Sequence, residues 1–214
     1  MNDDNFSDPA RAPETPSPAS GRTAPVPKRK RTGKYRVPPR EQRHGLLIVN
    51  TGDGKGKSTA ALGIVMRAWG RGMRSIIFQF IKSVDNPYGE HMALEKMQIT
   101  IEPLGDGFTW LSEDLEVDRA LAAAGWTRCL AAITSGEYDL IVFDELTYPL
   151  NFGWLDTTMV LTAIAARPPG THIVVTGRNA SDALIAAADL VTDMQVVKHP
   201  YRDQGLGAQP GIDL

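Results

Sequence analysis

One nine-residue stretch limits this chain more than any other: Thr51-Gly52-Asp53-Gly54-Lys55-Gly56-Lys57-Ser58-Thr59. The apolar run Leu46-Leu47-Ile48-Val49 precedes it, and Ala60 to Arg67, of helical composition, follows it. Strand, glycine-rich turn and helix in that order make the setting of a phosphate loop. Backbone N–H groups of the turn converge on an anion, the helix start adds its positive dipole end, a lysine reaches the outer phosphates, and a hydroxyl ligates magnesium. Lys57 and Ser58 fit the last two roles. The usual pattern opens on glycine, whereas Thr51 stands there in this chain, with Gly52 and Gly54 added inside the loop.

The rest of the chain alternates between strand and helix around that loop. Ser75 to Ile81 reads as a buried strand, Gly89 to Met97 as a short helix, Ile99 to Ile101 as a third strand, and Ser112 to about Thr134 as a long helix with an acidic first turn. Tyr138 to Phe143 is an apolar strand ending in Asp144 and Glu145. Two carboxylates at the end of a buried parallel strand, in a chain with a phosphate loop, read as a Walker B site: Asp144 holds the magnesium shell directly or through water, and Glu145 holds a water or a metal ligand. Leu146 to Asn151 reads as a loop on the rim and Asp156 to Ala166 as a helix stopped by Pro168-Pro169-Gly170. His172 to Thr176 is another strand. After its glycine turn, Arg178 projects to the same rim, where a guanidinium suits phosphate or ribose oxygens. Leu190 to Val197 reads as the closing strand. The expected fold is α/β: a largely parallel sheet of about six strands flanked by helices, in the RecA-like branch of phosphate-loop proteins.

The loop Leu104 to Trp110 interrupts this rhythm with two glycines and two aromatics, Phe108 and Trp110. Spacing alone leaves two readings of the pair, burial under the sheet or contact with a ligand at the rim, where doubly wound sheets bind.

Residues 1–43 have a different composition, rich in Pro, Ser, Arg and Lys with few bulky apolar side chains, so burial cannot offset the entropy of ordering them. They are expected to be a disordered basic tail ahead of one domain at 44–214. Ten of the 23 Lys and Arg lie in residues 1–44 but only five of the 25 Asp and Glu, which leaves the remainder at about −7. A domain so acidic is a poor partner for nucleic acid, whose binding rests on neutralising phosphates. The single cysteine, Cys129, excludes an internal disulfide framework and fits a reducing compartment as a buried core thiol. No apolar run has the length of a membrane span and the acidic start is unlike a signal peptide, so a cytoplasmic location is expected.

Taken together, Thr51 to Ala61, Phe78 to Lys82, Gly107 to Trp110, Asp144 to Tyr148, Val175 to Arg178, Val197 to His199 and Gly211 to Asp213 resemble the ATP:corrinoid adenosyltransferases of the CobA/CobO/BtuR type, in order from about Gly45 to the end of the chain. Departures are small: Asp53 where the family often has Asn, and Asp213-Leu214 where it often ends in Glu and an aromatic. The resemblance implies transfer of the 5′-deoxyadenosyl group from ATP to the cobalt of a reduced corrinoid, with triphosphate released. It also implies ATP held in reverse, so that C5′ faces the corrinoid. By the same likeness Gly52 to Ser58 cradle the triphosphate, Lys57 neutralises it, Ser58 ligates magnesium, and Asp144 and Glu145 complete the metal and nucleotide surroundings. Arg67 and Arg178 are candidates for nucleotide contacts, and Phe108 and Trp110 would face the corrin ring. A homodimer and a separate flavoprotein electron donor are further implications. The rival classes are a phosphate-loop ATPase or small-molecule kinase and a nucleotide-gated binding module. A guanine-nucleotide switch is disfavoured because no Asn-Lys-x-Asp motif occurs.

Overall fold

Four apolar runs pair side by side because their residues are buried on both faces, the condition under which parallel sheets form, and a less buried strand closes each edge. The computed structural model describes residues 38–39, 42–82, 88–105 and 115–213. These fall in one unit, Pro38–Leu214; the other, Met1–Val37, lies outside the described residues. In chain order the elements are β1 (Leu47–Thr51), α1 (Lys57–Trp69), β2 (Ser75–Gln79), α2 (Gly89–Lys96), β3 (Thr100–Pro103), α3 (Leu115–Ser135), β4 (Leu140–Asp144), α4 (Thr147–Asn151), α5 (Thr157–Ala165), β5 (His172–Thr176), α6 (Asp182–Ala187), β6 (Leu190–Asp193) and α7 (Pro200–Gln204). The sheet order is β3-β2-β4-β5-β1-β6, and every pairing is parallel. β5 therefore separates the strand that feeds the phosphate loop from the strand that ends in carboxylates.

Alternation along each strand sends side chains to two cores. Leu47, Val49, Ile76, Phe78, Ile141, Phe143, Ile173 and Val175 pack with Trp126, Cys129 and Ile133 of α3, Val160 and Ile164 of α5, and Leu184 of α6. On the other face Ile48, Ile77, Leu140, Val142 and Val174 meet Ala61, Val65 and Ala68 of α1 and Leu94 of α2. Cys129 is fully buried, and burial pushes its thiol well up from its ordinary pKa, which makes it core packing and not a nucleophile.

Three segments differ from the sequence expectation. The stretch after Glu145 is a short helix, α4, and not a loop: Pro149 sits in its first turn, where the missing N–H is no loss, and Thr147, Pro149 and Leu150 are buried. β6 ends at Asp193, shorter than expected, and is an exposed edge strand. The glycine-rich stretch after β6, given no element from the sequence, contains α7, whose first helical residue is Pro200 and which stops at left-handed Gly205.

Candidate active site

The phosphate loop is shaped by what lies behind it. Gly54 donates its N–H to the carbonyl of Met194, 2.6 Å away, just past β6. At Gly52 (φ +94°) and Gly54 a Cβ would come within 2.5 to 2.9 Å of the Met194 backbone, so these added glycines let the loop lie against the chain beyond β6. Thr51, in place of the usual glycine, ends β1; its hydroxyl accepts the Ala180 N–H at 3.1 Å and ties the turn after β5 to the base of the loop. Gly56 (φ +110°) makes the last bend before α1. The first turn of α1 holds no acidic residue, which leaves its N-terminal dipole to an anion.

Lys57, the first residue of α1, is buried, and its ammonium donates to the carbonyls of Gly52 and Gly54, both at 2.8 Å. Burial lowers its pKa from the ordinary lysine value; the charges of Glu145, Arg178, Asp53 and Asp144 also act on it. Ser58 is half-buried beside it in the same first turn, and Asp53, Lys55 and Thr59 are exposed. Lys55 pairs with Asp213 near the C-terminus, and Arg178 Nε lies 3.9 Å from Asp53.

Asp144 ends β4 almost fully buried, and both of its oxygens are engaged from the sides: Gln79 Nε2 donates to Oδ2 at 3.0 Å and the Thr176 hydroxyl to Oδ1 at 2.6 Å. Thr176 Oγ1 in turn accepts the Glu145 N–H at 2.9 Å. That bond pins Glu145 in the left-handed region, φ 61°, a conformation that costs a non-glycine residue about 1–2 kcal/mol. Glu145 is largely buried, and its Oε2 has no hydrogen-bond partner. Burial first, then the charge of Asp144, raises its pKa to about 7; Lys57, Lys82 and Arg178 pull the other way. A buried, unpartnered carboxylate oxygen beside a second carboxylate suits a divalent cation. No group of three or more His, Cys, Asp or Glu among the described residues forms a metal cluster, but magnesium is usually held by one or two carboxylates together with substrate phosphates. Ser58, Asp144 and Glu145 are a donor set of that kind.

Residues 43–214 match the family described as ATP:corrinoid adenosyltransferase BtuR/CobO/CobP. This chain belongs to that family. The corrinoid adenosyltransferase of Pseudomonas aeruginosa is 40% identical over 172 residues, covering 79% of this chain and 84% of the relative. Corrinoid adenosyltransferase CobA of Salmonella typhimurium is 37% identical over 178 residues, 83% of this chain and 90% of the relative, and the corrinoid adenosyltransferase of Escherichia coli K12 is 35% identical with the same coverage.

Of the residues singled out in this adenosyltransferase from its sequence, the structure gathers Gly52 to Ser58, Asp144, Glu145 and Arg178 at one rim of the sheet. Arg67 is not gathered: it sits exposed in the last turn of α1, about 15 Å along the helix axis from Lys57. Phe108 and Trp110 lie outside the described residues. Five neighbours were given no role from the sequence: Gln79, Thr176, His91, Lys82 and Tyr148. Burial and the charge of Glu145 raise the Tyr148 phenol, and Lys82 lies 4.4 Å from the Tyr88 ring centre while pairing with Glu90. One signal was available, since Gln79 is a polar residue inside the apolar run Ile76 to Ile81, and a buried amide demands partners. A separate cavity of about 800 Å³ lies between α3 and α5, away from the loop. Its charged lining is Arg119 and Asp156, and the Asp156 carboxylate caps α5 by accepting the Met159 N–H.

Proposed function

We propose that this chain transfers the 5′-deoxyadenosyl group of ATP to the Co(I) of a reduced corrinoid, cob(I)yrinic acid a,c-diamide or cob(I)alamin, and releases triphosphate. The observation that carries the reading is the unpartnered, buried Glu145 oxygen at the end of the carboxylate strand, beside Asp144 and at the rim that also carries the phosphate-loop lysine, in a chain of this family. In the transfer a cobalt–carbon bond forms at C5′, the C5′–oxygen bond breaks, and the electron pair leaves with the triphosphate. Co(I) is itself a strong nucleophile, so no side chain has to be activated to attack.

What the protein supplies is alignment and stabilisation of the departing charge. The Lys57 ammonium would exchange the carbonyls of Gly52 and Gly54 for phosphate oxygens, and the N–H groups of residues 52–58 with the start of α1 would complete the cradle. Ser58, Asp144 and Glu145 would hold magnesium, whose bound charge screens the triphosphate. Arg178 reaches phosphate or ribose, and Phe108 and Trp110 exclude water over the corrin ring. The same reading includes a basic tail at residues 1–43 outside the catalytic domain, a homodimer, a separate flavoprotein electron donor and a cytoplasmic location. Among the described residues no helix is long and apolar enough to cross a membrane.

The test is incubation with ATP, magnesium and reduced corrinoid, following the absorbance of a new cobalt–carbon bond and identifying the phosphate product. Triphosphate with adenosylated corrinoid supports the reading. ADP or orthophosphate with unchanged corrinoid overturns it in favour of a kinase or hydrolase. Sedimentation at micromolar concentration tests the homodimer, which a monomer would contradict.

A further inference from the structure

Asp144 is the middle of a longer row of side chains that crosses the carboxyl ends of three adjacent strands. The row runs from His91 in the first turn of α2, through Gln79 at the end of β2, to Asp144 of β4 and Thr176 of β5, and returns through the Glu145 N–H. Each link is short: 2.6 Å from His91 Nε2 to Gln79 Oε1, 3.0 Å from Gln79 Nε2 to Asp144 Oδ2, and 2.6 Å from Thr176 to Asp144 Oδ1. Gln79 is 1% exposed, so its amide has no water to fall back on.

The charge on Asp144 fixes the polarity of the whole row. An ionised carboxylate only accepts, so Gln79 must turn its NH₂ to Asp144 and its oxygen to His91. His91 must then donate from Nε2, which leaves Nδ1 as an acceptor, and the Tyr88 N–H points at it from 3.4 Å. His91 is therefore held as the neutral Nε2–H tautomer. Its surroundings agree: burial first lowers its pKa, with Glu90 opposing and Lys82 adding to the effect. Glu90 is itself kept below the usual carboxylate range. Burial alone would push it up, but the hydrogen bond and charge of Lys82 outweigh that.

We propose that Gln79 and His91 are positioning residues for the transfer, a rail by which α2 fixes the plane of the Asp144 carboxylate and so sets how tightly the magnesium–nucleotide pair is held. The proposal rests on the reading of Asp144 as part of the magnesium shell. Partners one step behind a metal-holding group orient it, and losing them typically weakens metal affinity about 10–100-fold. The rail is also directional: from the strand order, α2 anchors Asp144 on the side away from the phosphate loop, while Thr176 anchors it on the near side.

The experiment uses the full chain, with Gln79→Met to cut the rail at its centre, His91→Leu to cut it at its end, and His91→Gln to restore a donor and an acceptor at His91. ATP binding is measured by calorimetry across a magnesium series and in EDTA. Gln79→Met is expected to raise the magnesium needed for half-saturation about 10-fold or more, and His91→Leu by less, with affinity in EDTA unchanged and His91→Gln close to wild type. Nitrogen-15 imidazole spectra, with and without ligand, should show the Nε2–H tautomer of His91 in the wild type and a shifted Nε2 resonance in Gln79→Met, where the acceptor for that N–H is gone. A purely structural role would lower the melting temperature and leave the magnesium series unmoved, which overturns the proposal, as does an Nδ1–H tautomer in the wild type. Should Gln79→Met not fold, the two His91 variants decide the matter on the same series. The imidazole spectra test the rail even if adenosyl transfer is absent, and a wild-type enzyme that transfers while its rail variants match it sinks the rail alone.

Discussion

The phosphate loop and the carboxylate centre share one rim, a single strand apart, and are built in opposite ways. The loop is contiguous, residues 51–59, and what it offers a ligand is mostly backbone: N–H groups, a helix start and one lysine. Its backbone is backed from outside by the chain beyond β6, through the Gly54 N–H to the Met194 carbonyl and the Met194 N–H to the Thr51 carbonyl, and by the Ala180 N–H on the Thr51 hydroxyl. The carboxylate centre is made of side chains that meet only because β2, β4 and β5 are neighbours; Gln79 and Asp144 are 65 positions apart, Asp144 and Thr176 32. Backbone-made sites announce themselves by spacing, while side-chain sites depend on topology.

The sharpest way to break that contrast is at Lys57. If the loop is the part that takes up leaving-group charge, Lys57→Ala should lower transfer by about 10²–10³-fold or more, read as adenosylated corrinoid per minute. Near-normal turnover would mean that backbone donors suffice without the ammonium.

Glu145→Gln probes the other centre and has two readouts. Transfer should fall by roughly 10²-fold, with a higher magnesium requirement. In the ligand-free protein the sign is opposite. The Glu145 pKa is raised from 4.5 to about 7, so its contribution to stability is full below about 4.5 and is lost as pH rises through about 7. Denaturant melts should therefore find the variant equal to wild type near pH 4 and more stable at pH 8 by about 1–3 kcal/mol. A variant less stable at pH 8 would show that the carboxylate has a partner that outweighs its burial.

Thr176→Val keeps the shape and removes two bonds at once, the donor to Asp144 and the acceptor for the Glu145 N–H. A loss of about 1–3 kcal/mol in chemical denaturation is expected, with lower magnesium affinity. A neutral result would uncouple the left-handed turn at Glu145 from β5. The smallest effect belongs to the exposed ion pair of Lys55 with Asp213: Lys55→Met should change transfer by less than about threefold and shrink further in high salt. A large loss there would give the end of the chain a part in the loop.

Much of this was legible in the residues. The strand-loop-helix unit, the apolar strands and the two carboxylates all stand in order in the sequence, and the structure keeps them. The short helix after Glu145 was misread because Thr147-Tyr148-Pro149 looks like a turn, although proline is harmless in a first helical turn. The left-handed Glu145 was invisible, since nothing in a Glu codes for positive φ; it is imposed by the bond to Thr176. Thr176 and His91 gave no local signal either, because their partners are chosen by strand order. Arg67 shows the converse, a basic residue near the motif in sequence that one helix carries about 15 Å along its axis from Lys57.

The position of β1 has a consequence for how such a chain is made. Both of its neighbours, β5 and β6, come from the last quarter of the sequence; Leu46 waits 126 positions for its bond to His172, and the loop's backing at Met194 comes later still. On the ribosome, β2, β3 and β4 can assemble among themselves while β1 has no edge to join. The nucleotide cradle, although encoded ahead of its supports, thus takes shape only after them, and nascent chains should not bind ATP until β5, β6 and Met194 have been made.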